Sequence, residues 1–225
     1  CNLSEEKIFI AGSKGMVGSA LVRKLNDYFK ILSKDKNSIL SPDRKELDLS
    51  DYESVNSWFK LNKPSITVIA AAKVGGILAN ANYPADFILQ NLKIQNNIIE
   101  AAWKNDVKRL LFLGSSCIYP KFSAQPIKEE YLLSNNLEKT NQWYAIAKIA
   151  GIKLCESLRI QHGFDAISLM PTNLYGPNDN YHPSESHVVA SLIKKFIEAK
   201  DNNYPSVKCW GTGEPLSCLL YTSDA

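Results

Sequence analysis

Short apolar runs alternate along this chain with longer stretches in which apolar residues recur every three or four positions. Lys7 to Ala11 reads as a strand and leads at once into a Gly-rich turn and an apolar-periodic stretch, Met16 to Phe29. Ser38 to Leu40 is a short second strand. Thr67 to Ala72 is apolar without alternation, the pattern of a parallel strand covered on both faces. Asp86 is placed to cap a long helix running to about Trp103, and Arg109 to Leu113 is another apolar strand. Asn141 to Arg159 reads as a helix, and Ala166 to Met170 as a strand that stops at Pro171. In Ser186 to Lys200, Val188, Val189, Leu192, Ile193, Phe196 and Ile197 share one helical face. Strands and helices alternating in this way predict βαβ units and an α/β fold with a doubly wound parallel sheet. Tyr119 to Gln142 and everything after Pro171 fit the alternation less well, and are expected to form insertions or a second lobe over the strand ends.

Composition narrows the function classes. The chain has 225 residues, 45% hydrophobic and 22% charged, enough for a buried core without a disulfide or metal staple. A formal net charge of +3 carries no clustered basic excess, so no nucleic-acid partner is expected. The apolar runs are too short to span a bilayer, and no charged-then-apolar leader opens the chain. Five Cys without a CxxC pair argue against a disulfide framework and a zinc site, and point to a reducing, cytoplasmic compartment.

Candidate chemistry begins at Gly12-x-x-Gly15-x-x-Gly18, directly after a predicted strand and opening a predicted helix. A pyrophosphate needs backbone N–H groups and a helix N-terminus at close range, and Gly lets the chain approach. An ordinary Gly-rich turn has the same spelling. Where an NAD site carries Asp or Glu, the second strand here ends in Leu40-Ser-Pro-Asp-Arg44. Arg44 with Lys14 suits a 2′-phosphate, and two solvated surface cations are the equal alternative. Asp48 lies beyond, within reach of an adenine edge. Tyr144 and Lys148, four apart, share a helix face. A nearby cation favours phenolate and is expected to lower the Tyr pKa, which makes Tyr144 a proton donor to a carbonyl under reduction. The same spacing also occurs on helices without such a role.

Gly114 to Pro120 stands at the C-terminal end of a predicted strand, the end where parallel sheets bind ligands. If the extended geometry persists, Ser115 and Cys117 point one way and Ser116 the other. A small buried hydrophobe is the plain alternative for Cys117. None of His162, His182 and His187 has metal-ligand spacing; His182 and His187 lie in a polar loop entering a helix, available for acid/base work.

Together the GxxGxxG turn, a Ser after a strand and YxxxK resemble the extended short-chain dehydrogenase/reductases. Ala70 to Ile77, Asn82 to Phe87, Gly114 to Pro120, Tyr144 to Gly151 and Met170 to Pro177 closely resemble the GDP-L-fucose synthase family, the likeness running from about Lys7 to Pro215. The turn and YxxxK are generic; Ser-Ser-Cys-Ile-Tyr-Pro together with His-Pro-Ser-x-Ser-His is more specific.

The resemblance implies a Rossmann-like domain over residues 1–171, a partial substrate lobe over 172–215, and NADPH-dependent 3,5-epimerisation and 4-reduction of GDP-4-keto-6-deoxy-D-mannose to GDP-L-fucose. Its reductase triad falls on Ser115, Tyr144 and Lys148, and its epimerisation pair on Cys117 and His187. NADP(H) is expected against Gly12, Lys14, Gly15, Met16, Val17, Gly18, Arg44, Asp48, Leu49, Ala71, Tyr144, Lys148, Pro171, Asn173 and Leu174. The sugar nucleotide is expected against Asn173, His187, Lys195 and Trp210, with no metal, and the full-length protein as a homodimer.

There are departures from the family's pattern. Ser13-Lys14 stands where the family often has His-Arg, and residues are inserted around Lys34 to Ser38. The chain closes on Leu216-Ser-Cys-Leu-Leu-Tyr-Thr-Ser-Asp-Ala225, expected to be a non-native tail on a fragment. The competing readings are a nucleotide-sugar 4-epimerase or 4,6-dehydratase of the same superfamily, and a catalytically inactive NADP-binding fragment.

Overall fold

The computed structural model describes residues 6–31, 38–182, 186–209, 212–213 and 219–222. Five parallel strands form the main sheet: β1 (Ile8–Ala11), β2 (Ile39–Leu40), β3 (Ile66–Ile69), β4 (Arg109–Leu113) and β5 (Ala166–Leu169), in the order β2-β1-β3-β4-β5. The connecting helices are α1 (Met16–Ile31), α2 (Tyr52–Asn62), α3 (Ile77–Asn82), α4 (Pro84–Lys104) and α5 (Gln142–His162). After β1 the chain steps to β2 on one side, then returns to place β3 on the other. The reversal leaves a crevice beyond the C-terminal end of β1, where doubly wound sheets bind ligands.

The strands are apolar without alternation because both faces of the sheet are covered. Phe9, Ala11, Ile69, Leu110 and Phe112 pack with Val55 and Phe59 of α2, Ile98 and Ile99 of α4 and Leu158 of α5. Ile8, Ile10 and Val68, one residue out of phase, pack with Leu21, Val22, Leu25 and Phe29 of α1 on the opposite face. Burying each of these large side chains contributes about 1.5–3 kcal/mol. The α1 face is covered less far along the sheet, and Leu169 on the edge strand β5 is 50% exposed.

Beyond β5, β6 (Asn173–Tyr175) pairs in parallel with β7 (Leu219–Tyr221), and α6 (Val188–Asp201) lies between them in sequence. Val189, Ala190 and Ile193 of α6 line a cavity of about 310 Å³ with Tyr175 and Tyr221. Asn178, in the turn after β6, donates to Ser19 Oγ of α1 at 2.9 Å and ties this lobe to the start of the fold.

Two local expectations change. The long helix begins at Pro84, whose missing N–H costs nothing in a first helical turn. Asp86 therefore sits inside that turn, paired with Lys73 at 3.0 Å, rather than capping it. The strand read from Thr67 to Ala72 ends at Ile69, where the backbone leaves the sheet.

Candidate active site

The Gly-rich turn is a cradle that admits no side chain at Gly12 or Gly18. Gly12 has φ +81°, in the region that disfavours L residues, and a Cβ there would stand 2.7 Å from the Ala71 backbone nitrogen. A Cβ on Gly18 would collide with the Gly12 carbonyl oxygen. That carbonyl accepts from Gly15 N–H at 3.0 Å, which closes the turn at the start of α1. The first turn of α1 holds no acidic residue, so its unpaired N–H groups and the positive end of the dipole suit an anion. These features fit a dinucleotide pyrophosphate. Met16 and Val17 are half-buried in that turn, Ala71 forms the opposite wall, and Leu49 packs against the core.

At the end of β2, Lys14 pairs with Asp43 at 3.1 Å. Asp43 also accepts from the N–H groups of Lys45 and Glu46, and these bonds hold its carboxyl below the usual range. The acidic residue at the strand end is thus engaged by its own turn and by Lys14. Arg44 is exposed, and its charge, after the Ser50 hydrogen bonds, helps lower the Asp48 carboxyl.

The reactive cluster lies beyond β4. Ser115 caps a single 3₁₀ turn, Ser116–Ile118, its Oγ accepting from the Cys117 N–H at 3.5 Å. The Cys117 thiol donates to the same Oγ at 3.2 Å. Ser115 and Cys117 thus do converge, but through a capped turn and not through the alternation of an extended strand. Burial pushes the thiol up, against the opposing pull of Ser115 and Lys148.

On α5, burial, followed by the nearby Cys117 charge, pushes the Tyr144 phenol well above its ordinary value, against the opposing pull of Ser115. The expected lowering of Tyr144 by Lys148 is therefore overturned: burial sets the direction, and Lys148 is not among the groups that shift the phenol. Lys148 is buried, donates to the Leu113 carbonyl at 2.7 Å and lies 4.8 Å from the Phe112 ring centroid and 5.7 Å from that of Tyr144. Burial brings its ammonium down to about 8.

The other expected contacts lie on the second lobe. His187 is exposed at the N-cap of α6 and makes no side-chain cap; its carbonyl accepts from Ser191. Lys195 is half-buried on α6, Pro171 leads into β6, and Asn173 and Leu174 lie on that strand. Trp210 lies outside the described residues. The structure brings Ser115, Cys117, Tyr144 and Lys148 together, whereas His187 and Lys195 stand on a separate helix. Among the described residues no cluster of His, Cys, Asp or Glu could hold a metal ion, and no helix is long and apolar enough to cross a membrane.

Asn91 is a positioning residue that the pattern did not reveal. Buried in α4, it accepts from the Lys73 N–H at 2.9 Å and donates to the Lys73 carbonyl at 3.0 Å, clamping the loop after β3. Gln95, one turn on, donates to the Ala147 carbonyl at 2.7 Å and joins α4 to the helix of Tyr144 and Lys148. The readable signal was two amides at i and i+4 on an otherwise apolar face.

Comparison with known proteins agrees with the fold. The chain is 56% identical over 218 residues to GDP-L-fucose synthase 1 of Arabidopsis thaliana, covering 97% of this chain and 66% of the relative. It is 52% identical over 222 residues to GDP-L-fucose synthase of Escherichia coli (strain K12), covering 99% and 67%. It thus spans about two thirds of the length of these curated relatives. Among solved structures, MlghC, a GDP-mannoheptose C4 reductase from Campylobacter jejuni with NADP bound, superposes with a TM-score of 0.85 at 36% identity, over 98% of this chain and 72% of that one. A model of the NAD dependent epimerase/dehydratase family matches residues 8–225, past the Pro215 at which the resemblance was read to stop. The parallel sheet with its glycine cradle, the Ser115, Tyr144 and Lys148 cluster and the family match over nearly the whole chain together show that this protein belongs to the NAD dependent epimerase/dehydratase family.

Proposed function

We propose that this chain is the cofactor-binding part of a GDP-L-fucose synthase, which converts GDP-4-keto-6-deoxy-D-mannose to GDP-L-fucose by 3,5-epimerisation and 4-reduction. The observation that carries the reading is a thiol inside a reductase cluster: Cys117 donates to the Ser115 hydroxyl, close to Tyr144 and Lys148. Reduction alone needs Ser115, Tyr144 and Lys148. A thiol beside them adds a group able to take a proton from carbon, which a 4-keto group makes acidic at C3 and C5.

In this reading the Ser115 and Tyr144 hydroxyls bind the C4 oxygen and stabilise the enolate by hydrogen bonding. Cys117 and His187 move protons at opposite faces of the sugar, so α6 must bring His187 over the cluster. Tyr144 then gives its proton to the C4 oxygen. NADPH supplies the hydride when bound. Gly12, Gly15 and Gly18 would hold its pyrophosphate, Arg44 and Lys14 its 2′-phosphate, and Lys148 its nicotinamide ribose. Asn173, Lys195 and Trp210 would hold the sugar nucleotide.

The same reading takes residues 1–171 as the cofactor domain and 172–215 as part of a substrate lobe. It treats 216–225 as a non-native stretch, although Leu219–Tyr221 pairs as β7; a genomic read in frame across those codons before a natural stop would remove that part. Assembly of the full-length protein as a homodimer is supported by Leu89 of α4 and Trp143 and Ile146 of α5, exposed on two helices that pack together. A cytoplasmic location goes with the free thiols Cys117, Cys155 and Cys209. The test is to incubate the full-length protein with NADPH and candidate 4-keto nucleotide sugars and identify the product by NMR. GDP-L-fucose is expected. A product reduced at C4 but unepimerised at C3 and C5 would reject the epimerase half, and an oxidised or dehydrated sugar would reject the whole reading.

A further inference from the structure

We propose that Asp43 selects the cofactor: its carboxylate takes the 2′-hydroxyl of NADH, so that this chain binds NADH and NADPH with comparable affinity. The proposal rests on the reading of the Gly12 to Gly18 turn as a dinucleotide cradle, and on no feature of the sugar substrate. Two contacts tie that turn to the end of β2. Ser13 Oγ donates to the Ser41 carbonyl at 3.5 Å, and Lys14 Nζ donates to Asp43 Oδ2 at 3.1 Å. The rim of the cradle and the strand end therefore meet over one end of the ligand. In a doubly wound fold that end is the adenosine ribose, and a carboxylate there hydrogen-bonds the 2′-hydroxyl.

The turn presents one oxygen of Asp43. Oδ1 accepts from the N–H groups of Lys45 at 2.8 Å and Glu46 at 3.1 Å, and the Asp43 N–H donates to Glu46 Oε2 at 2.8 Å. Those bonds fix the carboxylate and fill the roughly two acceptor sites of Oδ1. Oδ2 holds Lys14 and keeps a site for a hydroxyl. The Asp43 side chain is 33% exposed, so a ligand can reach it. A 2′-phosphate in the same place offers only acceptors and meets the carboxylate as a like charge. Lys14, largely exposed on a flexible stem, and the exposed Arg44 offset that repulsion. Each nucleotide thus gains a charge-assisted hydrogen bond, and only NADPH meets a like charge.

The test is fluorescence titration of the full-length protein with NADH and with NADPH, which needs neither sugar nor turnover. Wild type is expected to bind both, with dissociation constants within about tenfold of each other. Asp43→Asn keeps an oxygen for the Lys45 and Glu46 N–H groups, so the turn is retained. It should weaken NADH roughly ten- to a hundredfold and tighten NADPH roughly two- to tenfold. Asp43→Ser, which also supports a turn through its hydroxyl, should give the same two signs. Damage to the turn would instead weaken both nucleotides together. Discrimination against NADH by wild type of more than about a hundredfold, unchanged NADH affinity in both variants, or equal weakening of both nucleotides would overturn the proposal. Binding of neither nucleotide by wild type would overturn it together with the cradle. The product assay above stands or falls separately, because it reads the sugar and not the ribose.

Discussion

Lys148 of α5 donates a 2.7 Å hydrogen bond to the carbonyl of Leu113, the last residue of β4, which pins the helix to the end of the central sheet. Holding an ammonium there costs stability, because burial brings its pKa down to about 8. The folded state then binds fewer protons than the unfolded chain between that pKa and the ordinary lysine value. Lys148 therefore contributes stability that grows as pH rises through this window. In urea titrations, the stability of wild type minus that of Lys148→Met should move toward wild type by about 2–3 kcal/mol from about pH 7 to about pH 10. A pH-independent difference would mean that Lys148 is solvated.

Cys117 and Tyr144 should separate the two halves of the chemistry. In the full-length protein, Cys117→Ser is expected to slow deuterium wash-in at C3 and C5 of the 4-keto sugar by about 10²–10⁴-fold, since a hydroxyl is far less acidic than a thiol. C4 reduction should survive in part. Tyr144→Phe should abolish reduction and slow wash-in less, through the loss of one hydrogen bond to the enolate. Normal GDP-L-fucose production by Cys117→Ser would remove the thiol from the mechanism.

The raised Cys117 thiol sets a pH dependence with a definite sign. In the proposed reaction the thiolate takes a proton from carbon, and burial keeps its fraction small near neutrality. Wash-in should climb about tenfold per pH unit on the acidic side of the thiol pKa and then level off. A rate that falls with rising pH would point to an acid, not a base, as the limiting group.

Lys14 is engaged with Asp43, so Arg44 is expected to be the first contact for a 2′-phosphate. A charge-assisted hydrogen bond contributes about 1.5–3 kcal/mol, so Arg44→Ala should shrink the ratio of NADPH to NADPH-lacking-phosphate affinity, read as NADPH against NADH, by roughly ten- to a hundredfold. Asp43→Asn releases Lys14 and should shift the ratio the other way. An unchanged ratio in Arg44→Ala, measured by fluorescence titration, would place the contact on Lys14.

Gly12→Ala should damage both stability and cofactor binding, because its Cβ would stand 2.7 Å from the Ala71 nitrogen at φ +81°. Strain of this kind costs about 1–3 kcal/mol, which a shift in the thermal midpoint and loss of NADPH binding would report. Full cofactor affinity in the variant would show that the turn is not the pyrophosphate cradle.

The sequence by itself determined the α/β class, the strand–turn–helix at Gly12 to Gly18 and the shared helix face of Tyr144 and Lys148. Each is written in local terms: apolar period, glycine spacing and an i, i+4 interval. Tertiary structure decided how those residues behave. Ser115 reaches Cys117 because a capped turn folds the chain back after β4, where strand alternation was expected. Lys14 meets Asp43 across a separation of 29 residues, and Lys148 meets Leu113 across 35. The direction of the Tyr144 shift depends on how much protein excludes water from the phenol, and neighbours distant in the chain provide that exclusion. Periodicity shows which face of a helix or strand is buried. Hydrogen-bond partners and desolvation arise only where separate elements meet, so the acid/base character of the site was settled by packing.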